Sequence, residues 1–226
     1  MSTCHVYMAM KTVAVFNNKG GIGKTTISAN LALFAAAHRI KTLAVGLDRQ
    51  GDLCRWLAGG DCVLEDGLAF RHSEYLHVLY SPMELPERRW DVDLVIADCP
   101  PAREVVEAVL ADLWAVPLDG RLALENVGNI HKDLCKAGGK IMLLLNRCDM
   151  IGKRALEGLR AAAHQIPNAF VRDEPIPATA SIAKSAEYFR PVWQVPHGAN
   201  TRGDRAIQSL CRDMLAECGL GGRLAG

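Results

Sequence analysis

Short apolar and β-branched runs alternate along this chain with longer stretches whose apolar residues recur every three or four positions. The first kind fits strands covered on both faces, and the second fits helices with one buried stripe. Strands are expected at Thr12–Phe16, Thr42–Gly46, His77–Tyr80, Leu94–Ala97, Leu113–Val116 and Ile141–Leu145. Helices are expected at Lys24–His38, Pro101–Leu110, Leu122–Lys136, Lys153–Gln165, Ser181–Phe189 and Asp204–Cys218. In the last of these the stripe is Ile207, Leu210, Cys211, Met214 and Leu215. Such alternation predicts an α/β fold, a doubly wound, mostly parallel sheet with helices on both faces. Glycine- and proline-bearing stretches at 58–67 and 195–203 read as loops. Without a repeat, a low-complexity segment or a linker, residues 1–226 read as one domain with flexible ends at 1–10 and 219–226.

Composition adds little beyond solubility. Half of the residues are hydrophobic and 23% are charged, which is ordinary for a globular protein. No apolar run reaches the roughly 20 residues that span a bilayer, and the start "MSTCHVYMAMKT" lacks the pattern of a secretory signal. A cytoplasmic protein is therefore expected. The eight cysteines include no CxxC and no zinc-finger spacing, so they read as small apolar residues or free thiols in a reducing compartment. The seven histidines are scattered, and no metal site is expected from them. A net charge of +1 does not advertise nucleic acid, although the chain turns slightly basic after residue 150.

The chemistry concentrates in "NNKGGIGKTT", residues 17–26, between the first strand and the first helix. Gly20, Gly21 and Gly23 allow the backbone to curl so that successive amides face an anion, and the positive end of the helix dipole points to the same place. Lys24 can reach the β and γ phosphates of a nucleotide, and the Thr25 hydroxyl can hold Mg²⁺. Asn18 stands where the general G-x-x-x-x-G-K-[ST] pattern has its first glycine. Farther on, the apolar strand in "DVDLVIADCPP" ends in Asp98. A carboxylate there either sits beside a metal at the carboxyl edge of the sheet or caps the next helix; the phosphate loop favours the metal.

"KGGIGKTT" resembles the deviant Walker A motif, KGGxGK[ST]T, of the ParA/MinD family of P-loop ATPases. The resemblance implies a cycle driven by ATP and Mg²⁺. It implies that Lys19 reaches across a homodimer interface to the partner's phosphates, so that two ATP molecules are sandwiched between two subunits. It also implies nucleotide contacts from Lys19, Gly20, Gly21, Ile22, Gly23, Lys24, Thr25 and Thr26. "GLDRQGDLCRWL" looks like the family's switch I pattern, D-x-D-P-Q-G-N-x-T-x-W-L, matching at Asp48, Gln50, Gly51, Trp56 and Leu57. Asp48 takes the place of the aspartate that positions the attacking water, which makes Lys19, Lys24 and Asp48 the catalytic set. Gly46 replaces the pattern's first aspartate and Arg49 its proline. Thr25, Asp48 and Asp98 would hold the magnesium. Asn146 with Arg147, and Pro177 with Ala178, match the segments that meet the adenine.

Within that family the chain looks most like a small ParA-type partition ATPase. Its end, "AECGLGGRLAG", makes a poor membrane helix, and no helix-turn-helix extension precedes the phosphate loop. The resemblance implies non-specific DNA binding by the ATP dimer, a nucleoid-associated state, and release of the dimer by a ParB-like or other cargo adaptor. The basic candidates for DNA are Arg172, Lys184, Arg190, Arg202, Arg205 and Arg212. The alternatives are a MinD-like membrane-associated ATPase and a nucleotide-gated scaffold with little turnover, to which Gly46 and Arg49 lend weight. An iron protein of the nitrogenase type would need two cluster cysteines, and Cys99, next to Asp98, is not at the ligand position.

Overall fold

β1 (Lys11–Val15) turns through a glycine loop into α1 (Lys24–Ala37), and related strand-to-helix units recur along the computed structural model, which describes residues 10–86, 90–119, 123–148 and 152–225. There follow β2 (Thr42–Gly46), α2 (Asp52–Ala58), β3 (Ala69–Ser73), β4 (Leu76–Tyr80), β5 (Leu94–Asp98) and α3 (Val105–Ala108). The second half holds β6 (Leu113–Asp119), α4 (Ala123–Leu134), β7 (Lys140–Asn146), α5 (Lys153–Ala163), β8 (Ala169–Val171), α6 (Ala180–Glu187) and α7 (Arg202–Glu217). Residues 1–9, Leu122 and Gly226, which belong to an expected loose start, an expected helix and an expected loose end, lie outside the described residues.

The strands form one sheet in the order β3-β4-β2-β5-β1-β6-β7-β8, parallel throughout except for the β3–β4 pair. This is the doubly wound fold read from the sequence. Alternate residues of each strand feed two cores. Val13 and Val15 of β1, with Met142 and Leu144 of β7, pack under α1, α2 and α7, whereas Ala14, Phe16, Ile141, Leu143 and Leu145 pack under α3, α4 and α5. α1 is apolar nearly all round because its neighbours α2, α6 and α7 cover it. Burying Leu31 and Phe34 there contributes about 1.5–3 kcal/mol for each side chain.

Five differences separate the observed elements from the expected ones. α2, between Gly51 and Gly59 in the left-handed region, has seven residues, too few for a periodic pattern to emerge. Edge strand β3, "AFRHS", is half polar and mostly exposed, so no apolar run marks it. β8 has only three residues. The helix expected over Pro101–Leu110 shrinks to Val105–Ala108, because Val109 is extended and begins the approach to β6. The glycine-rich segment after α7, expected as a loose end, closes a 3-10 turn at Gly221–Ala225, with Leu220 buried against the first core.

All the elements that carry chemistry end on one edge. In the register of the sheet, Asp98 lies beside both Val15 and Gly46, and Asn146 beside Asp119. The loop after β1 opens where the chain's winding direction changes, between β5 and β6, which is the usual crevice of such sheets. Among the described residues no helix is long and apolar enough to cross a membrane.

Candidate functional site

Gly21 and Gly23 both adopt positive φ, at 66° and 95°, and Gly23 caps α1 without any side-chain hydrogen bond. The first amides of α1 are thus left facing outward, the arrangement that receives an anion. The loop itself is braced. Asn17, 1% exposed, donates from Nδ2 to the Pro117 carbonyl at 2.8 Å and accepts the Lys19 amide on Oδ1 at 2.8 Å. Lys24 folds back under the loop, its Nζ donating to the Lys19 carbonyl at 3.1 Å. Burial pushes the Lys24 ammonium below the usual lysine range, while Asp98 and Asp48 pull it back up. Lys19 differs: its backbone is pinned, its side chain is exposed, and it makes no ion pair among the described residues.

Behind the loop, the buried Asp98 accepts the Thr25 hydroxyl on Oδ2 at 2.8 Å and the Ser28 hydroxyl on Oδ1 at 3.0 Å. Burial raises its carboxyl pKa to about 6, with the two hydroxyls and Lys24 acting against the rise. Gly20 to Thr26 line a cavity of about 320 Å³ together with Asp48, Gln50, Pro101 and Arg147, while Asp98 lies just outside it behind Thr25. Asp48 is held in a turn, its Oδ1 accepting the Gln50 amide at 3.0 Å and its carbonyl the Gly51 amide at 2.9 Å. Gly46 ends β2 next to Asp98, and a Cβ there would come within 2.9 Å of the Cys54 sulfur. The space that a side chain at position 46 would need is filled by that thiol, which burial pushes up to about 12.

A second cavity of about 430 Å³ adjoins the first, sharing Gly23, Thr26 and Arg147 with it. Its walls are mostly apolar and include Ile27, Ile176, Pro177, Ala178, Ile182 and Ile207. Asn146, Arg147, Pro177 and Ala178 therefore meet at one place, as the sequence pattern anticipated. The Asn146 amide, however, is already engaged: Nδ2 donates to the Ile22 carbonyl at 2.6 Å, and Oδ1 accepts the Arg147 amide at 2.9 Å. A Cβ on Gly23 would lie 2.7 Å from that Nδ2, so loop and strut are fitted to each other. Asn146 thus braces the phosphate loop from the end of β7. Asn146→Ala should therefore weaken ATP and GTP equally, by about five- to tenfold. Calorimetric titration of both nucleotides checks this, and a loss confined to ATP would restore the base-reading role.

The basic candidates separate. Lys184 is half-buried on α6, and Arg190 is exposed just beyond it. Arg202, Arg205 and Arg212 are exposed on one face of α7; Arg205 Nη1 donates to the Asn200 carbonyl at 2.7 Å, and Arg212 lies 5.6 Å from the centre of the Phe34 ring. Arg172 does not belong with them. It is 6% exposed and paired with Glu174 and Asp213, because its fork points inward to α7. The sequence reading passed over Asn17, Ser28 and Asn30. Ser28 and Asn30 are polar residues inside an otherwise apolar helix, and that contrast is the signal that marks them. Asn30, fully buried, joins the Thr26 carbonyl at 2.8 Å to the Val192 amide at 2.9 Å, tying α1 to the chain beyond α6.

A family model described as an AAA domain matches residues 10–64, from β1 into the loop after α2. The chain is 32% identical over 148 residues to Maintenance of carboxysome distribution protein A of Gloeobacter kilaueensis, covering 62% of this chain and 64% of that protein. The match thus spans less than two thirds of the relative's length. Apo McdA of Cyanothece is similar in structure with a TM-score of 0.69, at 15% identity over 91% of this chain and 99% of that one. The septum site-determining protein MinD of Pyrococcus horikoshii, complexed with Mg-ADP, gives a TM-score of 0.66 at 20% identity over 91% and 96%. At such identities the solved structures speak for the fold alone, and the matched segment holds the loop Lys19–Thr26. In its phosphate loop and in its fold the chain is similar to the deviant Walker A P-loop ATPases of the ParA/MinD kind.

Proposed function

We propose that this protein is a small ParA-type positioning ATPase that dimerises on ATP, binds DNA without sequence preference in that state, and is released when a cargo adaptor stimulates hydrolysis. The observation that carries the reading is the pairing of a braced phosphate loop with a lysine, Lys19, whose backbone is fixed and whose ammonium is exposed. Loop amides and Lys24 hold the triphosphate, and the apolar cavity beside Pro177 takes the adenine. Asp48, at the rim of the phosphate cavity, orients the attacking water. A magnesium ion fits the residues present, because a hydroxyl and a buried carboxylate, Thr25 and Asp98, already face each other at 2.8 Å beside the phosphate cavity. Bound there with Asp48 across the cavity, magnesium supplies neutralisation of phosphate charge.

The identity to a carboxysome distribution protein favours an intracellular body over a plasmid as cargo. DNA contact falls to the exposed face of α7 with Arg202, Arg205 and Arg212, joined by Lys184 from α6 and Arg190 just beyond it. An electrophoretic shift of non-specific DNA should need ATP, fail with ADP, and fade as salt rises. Asp48→Ala should keep the ATP-dependent shift while lowering turnover by about 10²-fold. Turnover unchanged in that variant would favour the nucleotide-gated scaffold, and ATP-dependent binding to anionic vesicles without a DNA shift would favour a MinD-like surface.

A further inference from the structure

Directly after β8 the chain buries a cation that no step of the proposed cycle uses. Arg172 Nε donates to the Asp213 carboxylate at 2.7 Å, Nη2 donates to the Glu174 carboxylate at 2.7 Å and to Ser209 Oγ at 2.8 Å, and Nη1 donates to the Glu174 carbonyl. Ser209 closes the ring by donating to Glu174 at 2.6 Å. Only a planar fork with several fixed donors can hold these acceptors at once.

The backbone on either side of the cluster is also fixed. The Arg172 amide donates to the Leu143 carbonyl at 3.0 Å, the Ile176 amide to the Leu145 carbonyl at 2.8 Å, and the Cys148 amide to the Ile176 carbonyl at 3.0 Å. Residues 173–175 thus leave the ladder, and the chain re-enters it as the wall of the 430 Å³ cavity, which begins at Ile176 and runs through Pro177, Ala178 and Thr179. Ser209 and Asp213 lie on α7, the helix that contributes Ile207 to the same cavity. One guanidinium therefore joins the sheet edge, the wall loop and α7.

Stability does not account for such a cluster. Asp213 and Glu174 have side chains 48% and 53% exposed, so water would solvate them if the arginine were gone, and an apolar replacement of similar volume is often neutral. What the cluster supplies is position. We propose that Arg172 is a positioning residue for the base half of the nucleotide site, gripping the wall loop onto α7 so that Ile176–Thr179 stand at a fixed distance from the phosphate loop. This rests on the reading of the apolar cavity as the base half of an ATP site.

The test compares a ligand that has a base with one that has none. Wild type, Arg172→Met and Arg172→Lys are titrated calorimetrically with ATP and with inorganic triphosphate, magnesium being present throughout. For Arg172→Met the affinity for ATP should fall about tenfold while that for inorganic triphosphate stays within about twofold. Arg172→Lys, which can still reach one carboxylate, should recover part of the loss. Equal losses for the two ligands, or an undiminished affinity for ATP, would overturn the positioning role. Wild type that binds inorganic triphosphate as tightly as ATP would overturn the base reading itself, a different failure. Should Arg172→Met not fold, Glu174→Gln combined with Ser209→Ala loosens the loop side alone, and the same split between the two ligands is expected on a smaller scale.

Discussion

Lys19→Gln is expected to bind ATP nearly as well as wild type and to lose ATP-driven dimerisation. The lysine ammonium is exposed and makes no ion pair among the described residues, and its own subunit uses only its backbone, as a carbonyl under Lys24 and an amide on Asn17. Removing an exposed cation changes affinity within one subunit by about 0–1 kcal/mol, less than about fivefold. Across an interface the same group would meet a triphosphate shielded from water, where a charge-assisted hydrogen bond is worth about 1.5–3 kcal/mol. Two such contacts per symmetric dimer come to about 3–6 kcal/mol, or a 10²- to 10⁴-fold weaker dimer. Light scattering with a slowly hydrolysed ATP analogue should show a monomer at concentrations where wild type is a dimer. Lys24→Ala is the contrasting control, since Lys24 is folded beneath the loop and its loss should abolish nucleotide binding itself. A stable nucleotide-bound dimer of Lys19→Gln would remove the trans contact from the mechanism.

The parallel sheet was legible because its strands are buried on both faces, so that β2, β5 and β7 are nearly pure apolar runs. The phosphate loop was legible because positive φ at Gly21 and Gly23 restricts the residue types allowed there. Other parts were hidden by the same physics. β3 is an exposed edge and carries no apolar signature, and α2 is defined by glycines at its ends rather than by periodicity within it. At the site, residue type was legible and partnership was not. Asn146 sits where the pattern places an adenine reader, yet its amide is taken by Ile22 and Arg147, close contacts set by how β7 approaches the loop. Arg172 carries a surface-type charge into the interior because Asp213 and Ser209, 41 and 37 residues away in sequence, come together with it only in the fold. Gly46 is similar: its missing side chain reads as a loss until Cys54 is seen filling the space.

The largest effect on the folded state itself is expected at Asp98. Its carboxyl is 1% exposed, and burial lifts its pKa to about 6 from the usual 3.8. The folded chain therefore holds that proton more tightly than the unfolded chain does. The stability linked to it is fully present below about pH 4 and is lost as pH rises through about 6. At neutral pH the ionised carboxylate costs about 3 kcal/mol, which Thr25, Ser28 and Lys24 have already reduced. Asp98→Asn keeps the shape and still offers hydrogen-bonding groups to both hydroxyls, but carries no charge to bury. Without nucleotide it should melt about 5–10 °C above wild type at pH 7.5, and the gap should close as both proteins are taken toward pH 4. Its ATP turnover should fall by about 10²-fold or more, because the carboxylate that faces the Thr25 hydroxyl is also the one suited to magnesium. Gain in one measurement and loss in the other separate a charge retained for chemistry from a charge that merely supports the fold. Calorimetric melting at the two pH values alongside an ATPase assay decides it: an amide variant that melts below wild type at pH 7.5 would overturn the cost assigned to the buried charge, and one that turns over ATP normally would overturn the role at magnesium.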